Sequence, residues 1–210
     1  PGGNTVTDID GNIYSTVVIG TQEWMQENLK TTHYKNGAVI PNNLTDAQWL
    51  ATTSGACADY NNNPANTTVY GKLYNWYAVA DPQGLCPTGW HEPEDWEWNV
   101  LVKTIDPNAD TTCIGSQSTI AGGAMKEIGT THWASPNTGA TNSSGFTGLP
   151  GGYRFNIGTY DYIGLSGHWW SATQSSTTNA YNRNLYYSSS NGYRGSNSKT
   201  SGFSVRCVRD

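Results

Sequence analysis

The sequence predicts an α+β domain of short antiparallel strands with two or three short helices, joined by long loops. Three observations indicate this fold class. Strand-forming segments with turn residues between them fill both ends of the chain, helical periodicity is confined to the middle, and clusters of Asn, Gly, Ser and Thr separate the elements. The 210 residues suffice for one large core, and no repeat or linker divides them. We therefore predict a single domain over residues 1–210, with a flexible segment at residues 1–8.

Composition restricts the functional classes. Charged residues make up 13% of the chain, against about a quarter in average globular domains. The chain instead holds 9 Trp and 13 Tyr, residues that serve half-wet binding surfaces as well as cores. A net charge of −5 with 11 dispersed basic residues disfavours nucleic acid as a partner. No apolar run approaches the ~18 residues of a membrane span, so we expect none.

The cysteines indicate an oxidising compartment. Cys57, Cys86, Cys113 and Cys207 are an even number without a C-x-x-C pair. This pattern favours two disulfides over a zinc ribbon or a thioredoxin-type motif, although four cysteines allow three connectivities. Free buried thiols in a cytosolic protein are the alternative. We predict a secreted or cell-surface protein.

The first strands are predicted to form a hairpin in residues 7–29, with its turn at Asp10-Gly11-Asn12. Asp8, Asp10 and Asn12 also resemble the start of a calcium loop. Ile19, however, stands where a bidentate Glu would complete that loop. We therefore predict a turn and no metal, and we expect chelation to abolish neither folding nor binding.

Helical periodicity marks three segments, at residues 71–81, 93–105 and 120–129. The second has the clearest start, with Pro93 followed by acidic residues. The third is weakened by two glycines. Asn-rich sequence such as residues 59–68 is predicted to be loop. The apolar faces of the first two segments are Leu73, Trp76, Tyr77 and Ala80, and Trp98, Leu101, Val102 and Ile105.

From Gly151 onward, short aromatic strands alternate with polar turns. We expect Leu185, Phe203 and Val205 to face the core. Strand alternation then sends Asn182, Asn184 and Tyr186 to an exposed face. The segment NGYRGSN is predicted to be a turn that adds Tyr193, Arg194 and Asn197 beside them. These six residues form the predicted ligand-binding patch, a mixture of aromatic, amide and cationic groups that binding surfaces favour.

Tryptophans divide between the core and candidate surfaces. Trp76, Trp90 and Trp98 are predicted to lie in the core. Trp169 and Trp170 are adjacent, so in a strand one is expected to face inward and the other outward.

Catalytic motifs are weak, and we predict neither an enzyme nor a cofactor. The histidines have no zinc-binding spacing, and no nucleophile elbow or phosphate loop occurs. We expect a structural or capping role for His91. The single carboxylate cluster is predicted to be the solvated first turn of a helix; its members are Glu92, Glu94, Asp95 and Glu97.

Seven segments resemble, in order, the Fibrobacter succinogenes major paralogous domain. They are DGNIYSTVVIGTQEWMQENLKTT, YGKLYNWYAVAD, LCPTGWHEPEDWEW, AGGAMKEIGTTHW, FTGLPGGYRF, HWWSAT and GFSVRCVRD. The resemblance implies a bacterial secreted or cell-surface protein with a C-type-lectin-like fold. In that fold the terminal strands pair, two helices pack on a sheet, and a long loop region presents ligand contacts.

The resemblance also implies pairings and exclusions. It pairs Cys86 with Cys207, which leaves Cys57 to pair with Cys113. Formylglycine-generating enzymes share the fold but need two active-site cysteines, so an enzyme is disfavoured. Calcium-binding lectin signatures are absent, since the only Glu-Pro pair is Glu92-Pro93 and no Trp-Asn-Asp occurs. A metal-free aromatic platform for sugars stays open.

The leading hypothesis is a binding module for a glycan or a surface protein. A second hypothesis is a subunit of an extracellular fibre or adhesive tip, in which the N-terminal PGGNTVT lends a strand to a neighbouring copy. A third is a receptor-binding protein diversified by a retroelement. The stretch between Trp170 and Gly202 resembles the variable regions of such proteins, which use the same fold.

Overall fold

A computed structural model of the chain describes residues 4–210, in which the strands form three sheets. The strands are β1 (Thr5–Thr7), β2 (Ile13–Ile19), β3 (Gln22–Met25), β4 (Cys57–Ala58), β5 (Leu73–Tyr74), β6 (Trp90–His91), β7 (Gly115–Ser118), β8 (Gly151–Arg154), β9 (Tyr160–Ile163), β10 (Ser166–Gln174), β11 (Asn179–Tyr186), β12 (Gly192–Ser198) and β13 (Val208–Arg209). The five-stranded sheet has the order β1-β2-β3-β13-β6, and the six-stranded sheet β7-β12-β11-β10-β8-β9. Strands β4 and β5 pair separately. The chain is therefore the mixed, loop-rich α+β structure predicted from its sequence.

Five short α-helices connect these strands: α1 (Asp46–Ala51), α2 (Pro64–Tyr70), α3 (Trp76–Val79), α4 (Asp95–Ile105) and α5 (Ala121–Met125). A single 3-10 turn at Tyr60–Asn62 precedes α2. Helix α4 confirms the prediction for residues 93–105. Helices α3 and α5 are shorter than predicted. Helix α3 is shorter because Leu73–Tyr74, in the first part of the predicted helix, form strand β5 instead. In α5, Gly122 lies so close to the backbone of Asn191 that any side chain there would collide with it.

Two helices were not predicted. Residues 59–68 were expected to be loop, but Pro64 opens α2, and the Asn63 side chain accepts a hydrogen bond from the Ala65 amide. In α1 the Thr45 side chain accepts from the Gln48 amide, and Trp49 is fully buried. Local capping therefore outweighs the low helix propensity of Asn and Thr. None of the helices in the described part of the chain is long and apolar enough to cross a membrane.

The N-terminal hairpin forms as predicted, with β1 antiparallel to β2. Asp8 holds its turn, because one carboxylate oxygen accepts from the amides of Asp10 and Asn12 and the other from the Tyr14 hydroxyl at 2.6 Å. Within residues 1–8, predicted to be flexible, Thr5–Thr7 form an edge strand, and residues 1–3 lie outside the described residues. Residues 4–210 contain no cluster of three metal-ligating side chains.

Strand β13 joins the sheet of the N-terminal strands, although β1 itself pairs with β2 and not with β13. Strand β13 pairs with β3 through Val208 and Trp24, and also with β6. The disulfide between Cys86 and Cys207 is confirmed, and it joins residues 121 positions apart.

The predicted pairing of Cys57 with Cys113 is wrong, because both thiols are free. Cys57 is fully buried in the core beside its strand partner Tyr74. Cys113 lies half-buried in the loop before β7, where its sulfur donates to the carbonyl oxygens of Asp110 and Ser116. The two cysteines therefore belong to different parts of the fold.

The six-stranded sheet is covered on both sides near its centre. On one side Trp169 packs against Phe146, with ring centroids 5.7 Å apart. On the other side Trp170 packs against Phe203 at 4.3 Å. Both tryptophans are buried, so the prediction that one faces outward is wrong. The predicted core positions of Trp76, Trp90 and Trp98 are confirmed, as are those of Leu185, Phe203 and Val205.

Candidate functional site

Strand β12 divides the predicted ligand-binding patch between two faces of the sheet. The segment NGYRGSN was expected to be a turn, but Gly192–Ser198 form a strand paired with β11. In this register Asn184 lies opposite Tyr193, whereas Arg183 lies opposite Arg194. Directly paired residues share a face, and successive residues alternate. Tyr193 therefore joins Asn184, and Arg194 lies on the opposite face.

Arg194 belongs to an ion-pair network beneath helix α4. Its Nη2 lies 2.6 Å from Asp95 Oδ2, and Arg183 Nη1 lies 2.8 Å from Asp95 Oδ1. The Arg194 guanidinium also stacks 3.8 Å from the centroid of the Tyr181 ring. Burial alone would raise the pKa of Asp95, but the bonds from Arg194 and Arg183 outweigh it and hold the pKa below its ordinary value. We therefore assign Arg194 a structural role.

The predicted solvated acidic turn is wrong for two of its members, since Asp95 and Glu97 are buried. Glu97 accepts from the Glu94 amide and contacts His91. His91 thus has the structural role that we expected. Glu92 accepts the amide protons of Leu85 and Cys86.

The face of strands β10–β12 that points away from α4 carries one row of polar and aromatic side chains. Asn184 lies between His168 on β10 and Tyr193 on β12. We call this surface the Asn–Tyr face; its members are His168, Asn182, Asn184, Tyr186 and Tyr193.

Asn182 and Asn184 were predicted to be exposed, and this prediction is wrong. Asn182 is 0% and Asn184 9% exposed. Strand β11 is an interior strand, so neighbours flank both residues, and the amides occupy the space above Gly195, where any side chain would collide with them. Tyr186 and Tyr193 are half-buried, and Asn197 is exposed at the edge, where it accepts from Asn182 Nδ2 at 2.6 Å.

Three buried polar atoms of the Asn–Tyr face have no hydrogen-bond partner within residues 4–210. They are Asn182 Oδ1, Asn184 Oδ1 and His168 Nδ1. Leaving such a group unpaired costs about 1–3 kcal/mol, so a cluster of three calls for an explanation. The other ring nitrogen of His168 lies 2.9 Å from Ser166 Oγ. Burial lowers the pKa of His168 to about 4, so the imidazole is neutral at pH 7.

Tyrosine rings surround these atoms. Tyr186 and Tyr193 pack edge to face, with centroids 5.2 Å apart. Tyr153 lies 4.7 Å from the His168 ring, and Tyr162 stacks on Tyr153 at 5.4 Å with 9° between the planes. Tyr162 is 40% exposed and has a φ of 68°, a left-handed conformation that bulky residues rarely adopt.

The phenol groups of these tyrosines lie close together. Burial raises the pKa of Tyr153 to about 12, and the neighbouring Tyr162 and Tyr186 add to the shift. The pKa of Tyr186 is raised mainly by burial, and then by Tyr193 and Tyr162. The Tyr153 and Tyr186 hydroxyls therefore stay protonated at neutral pH and can donate hydrogen bonds.

Sequence reasoning found Asn182, Asn184, Tyr186 and Tyr193 but missed His168, Tyr153 and Tyr162. The segments that carry the missed residues were recognised as aromatic strands. His168 lies beside β11 through the pairing of β10 with β11. Tyr153 and Tyr162 lie near it through the parallel pairing of β8 with β10 and the pairing of β9 with β8, which periodicity does not reveal. The Asn–Tyr face therefore consists of amide, hydroxyl and aromatic groups, and none of its five members carries a formal charge at neutral pH.

The sequence model of the Fibrobacter succinogenes major domain matches residues 17–209 of this chain. The match includes every residue of the Asn–Tyr face. No curated protein and no solved structure matches the chain.

Proposed function

Since this chain belongs to the Fibrobacter succinogenes major domain family, we propose that it is an exported, non-catalytic binding module whose ligand lies on the Asn–Tyr face. One observation carries the proposal: a group of tyrosine rings, those of Tyr153, Tyr162, Tyr186 and Tyr193, reaches the surface at this face. Binding surfaces favour aromatic side chains that keep a polar end.

We further infer a C-type-lectin-like fold and an extracellular location. The pairing of β13 with β3 of the N-terminal sheet and the contact of helix α4 with strands β10 and β11 support the fold. The buried Cys86–Cys207 disulfide supports an oxidising compartment, since such bonds persist mainly outside the cytosol.

A glycan is the ligand class that the face favours. Sugar hydroxyls can exchange hydrogen bonds with the hydroxyls of the half-buried Tyr186 and Tyr193 and with the amide of the exposed Asn197. The apolar side of a sugar ring can lie on a tyrosine face. Because the His168 imidazole is neutral at pH 7, the face has no fixed cation that would select an acidic ligand. These properties match an uncharged polar molecule with apolar faces.

A protein ligand is the second candidate. Two residue types of this face, Tyr and Asn, are enriched in antibody paratopes. Tyr186 and Tyr193 would then serve as rigid aromatic anchors.

Two features support a non-catalytic role. Burial raises the pKa of the Cys57 thiol to about 12, which makes it a poor nucleophile at neutral pH. Ser166 Oγ lies within hydrogen-bond distance of His168 Nε2, but Ser166 is fully buried. A histidine with a pKa of about 4 is also a weak general base.

A glycan array, followed by titration of the best glycan against variants, tests the proposal. The double variant Tyr186→Ala/Tyr193→Ala is expected to weaken binding by about 1–3 kcal/mol. Tyr181→Ala is the matched control, because Tyr181 lies on the same strand but on the opposite face. Undiminished binding by the double variant would remove the Asn–Tyr face as the site. If no glycan binds and a surface protein is captured through the same tyrosines, the second candidate holds.

A further inference from the structure

Trp96 is the one tryptophan of this chain that lies mainly in solvent. The other eight tryptophans, at positions 24, 49, 76, 90, 98, 133, 169 and 170, are buried, whereas Trp96 is 58% exposed. It lies on α4 but outside the helix face formed by Trp98, Leu101 and Val102, so it adds little to the core. Single exposed apolar residues are common on protein surfaces, so Trp96 becomes informative through the cleft beside it.

A cleft of about 540 Å³ lies beside this indole ring. It separates the first turns of α4 from the last strand, β13. Val100 and Val208 supply apolar walls, and Gln22, His91 and Arg209 supply polar ones. The volume falls within the range of small-molecule binding sites.

Hydrogen bonds hold the polar walls of the cleft in place. Trp96 Nε1 donates to Glu94 Oε2 at 2.9 Å, which fixes the orientation of the ring. His91 bridges Glu97 Oε1 at 2.8 Å and Asp210 Oδ1 at 2.7 Å. A site whose side chains are already ordered loses less entropy when it binds a ligand.

We propose that this cleft is a second ligand-binding site, which takes a sugar ring of a carbohydrate chain stacked on Trp96. The exposed indole face suits the C–H side of a pyranose. The carboxylates of Glu94 and Asp210 can accept hydrogen bonds from ring hydroxyls, and the Arg209 guanidinium can donate to them. An aromatic wall with a few convergent polar groups is the composition expected of such a site.

The cleft is separate from the Asn–Tyr face. Helix α4 packs on the side of β11 that carries Arg183, through Asp95. Asn184 points to the other side of that strand. The second site therefore does not depend on the proposed function of the Asn–Tyr face, and the two can be tested independently.

Affinity electrophoresis tests the proposal on the full chain. Native gels would contain soluble xylan, mannan, mixed-linkage glucan or amylose, and pull-downs would use insoluble cellulose and chitin. Wild-type protein is expected to be retarded or captured by at least one of these. Trp96→Ala should weaken that binding roughly tenfold or more, as removal of an aromatic hot spot does, and Trp96→Phe should retain part of it. The exposed substitution should leave the melting temperature nearly unchanged.

The double variant Tyr186→Ala/Tyr193→Ala is the control for the other site, and it should retain the Trp96-dependent binding. An indole N–H resonance that is lost in Trp96→Phe should shift when oligosaccharides of the bound polysaccharide are added. The proposal is overturned if no polysaccharide in the panel binds, or if Trp96→Ala binds as the wild type does. It is also overturned if Trp96 proves necessary only for self-association in sedimentation or for capture of a protein.

Discussion

The Nζ atom of Lys126 lies 3.0 Å from the carbonyl oxygen of Tyr186, so a fully buried ammonium holds the end of the strand that carries the Asn–Tyr face. The same nitrogen donates to the carbonyl oxygens of Thr138 and Ser189, both at 2.9 Å. Burial lowers the pKa of Lys126 to about 8. Three backbone carbonyls thus take the place of a counter-ion, and the lysine joins three segments of the chain.

Replacement of this lysine should destabilise the fold. Lys126→Met keeps most of the side-chain volume but leaves three carbonyl oxygens without their donor. Because each unpaired buried group costs about 1–3 kcal/mol and the loss of a buried charge offsets part of this, we expect the free energy of unfolding to fall by about 2–4 kcal/mol. Urea denaturation monitored by tryptophan fluorescence measures the change.

The control is Lys103→Met, because Lys103 is exposed on α4. This variant should stay within about 0.5 kcal/mol of the wild type. Equal stability of the two variants would show that the buried ammonium does not hold the strand end.

The Asp95 carboxylate should contribute to stability as strongly as Lys126 does, because it neutralises the charge of two arginines. Asp95→Asn leaves Arg183 and Arg194 without their counter-charge in a site where Arg183 is 3% exposed. Breaking a buried pair in this way typically costs about 3–5 kcal/mol. Thermal and urea unfolding measure the loss. Lys103→Gln removes an exposed charge from the same helix and is the control, which should change stability little. A loss below about 1 kcal/mol for Asp95→Asn would contradict the network.

Local features of this structure could be predicted from the sequence. Spacing alone located α4, because Trp98, Leu101 and Val102 repeat at helical intervals and are all buried. The resemblance to a known family supplied the Cys86–Cys207 pairing, since its blocks include both cysteines.

The predictions that are wrong concern strand register and sheet packing. Whether Arg194 joins Tyr193 depends on whether residues 191–197 form a turn or a strand, and Gly, Asn and Ser favour the turn when read alone. The pairing with β11 decides for the strand. The exposure of Asn182 likewise depends on β12 and Gly195 beside it, which no pattern within residues 179–186 can show.

Removal of the disulfide should lower stability strongly. The bond closes a loop with a sequence separation of 121 residues. In the chain-entropy model a loop of this length contributes about 5 kcal/mol. We expect the double variant Cys86→Ala/Cys207→Ala to lose most of this in urea unfolding.

Cys113→Ser is the matched control for this variant. Its sulfur donates only to carbonyl oxygens, which a hydroxyl can also do. It should therefore keep the wild-type stability. Peptide mapping without reduction should find Cys57 and Cys113 as free thiols, and a bond between them would contradict the structure.

The contact of His91 with two carboxylates should make stability depend on pH. Burial alone would lower the pKa of His91, but the bonds to Asp210 and Glu97 outweigh it and raise the pKa above its ordinary value. A group whose pKa is raised by folding adds stability that is fully present below its unfolded pKa, about 6.5, and is lost as the pH rises through the folded value. The advantage of wild type over His91→Gln in melting temperature should therefore be larger at pH 5.5 than at pH 8.5.

The variant Asp210→Asn shows how much each of the two carboxylates contributes to the pH dependence. It removes the more exposed partner, which lies at 2.7 Å, and leaves Glu97 at 2.8 Å. The remaining ion pair should keep part of the pH dependence, because Glu97 is buried and solvent screens its charge less than that of Asp210. A melting-temperature difference between wild type and His91→Gln that is the same at both pH values would show that His91 is not protonated between its two partners.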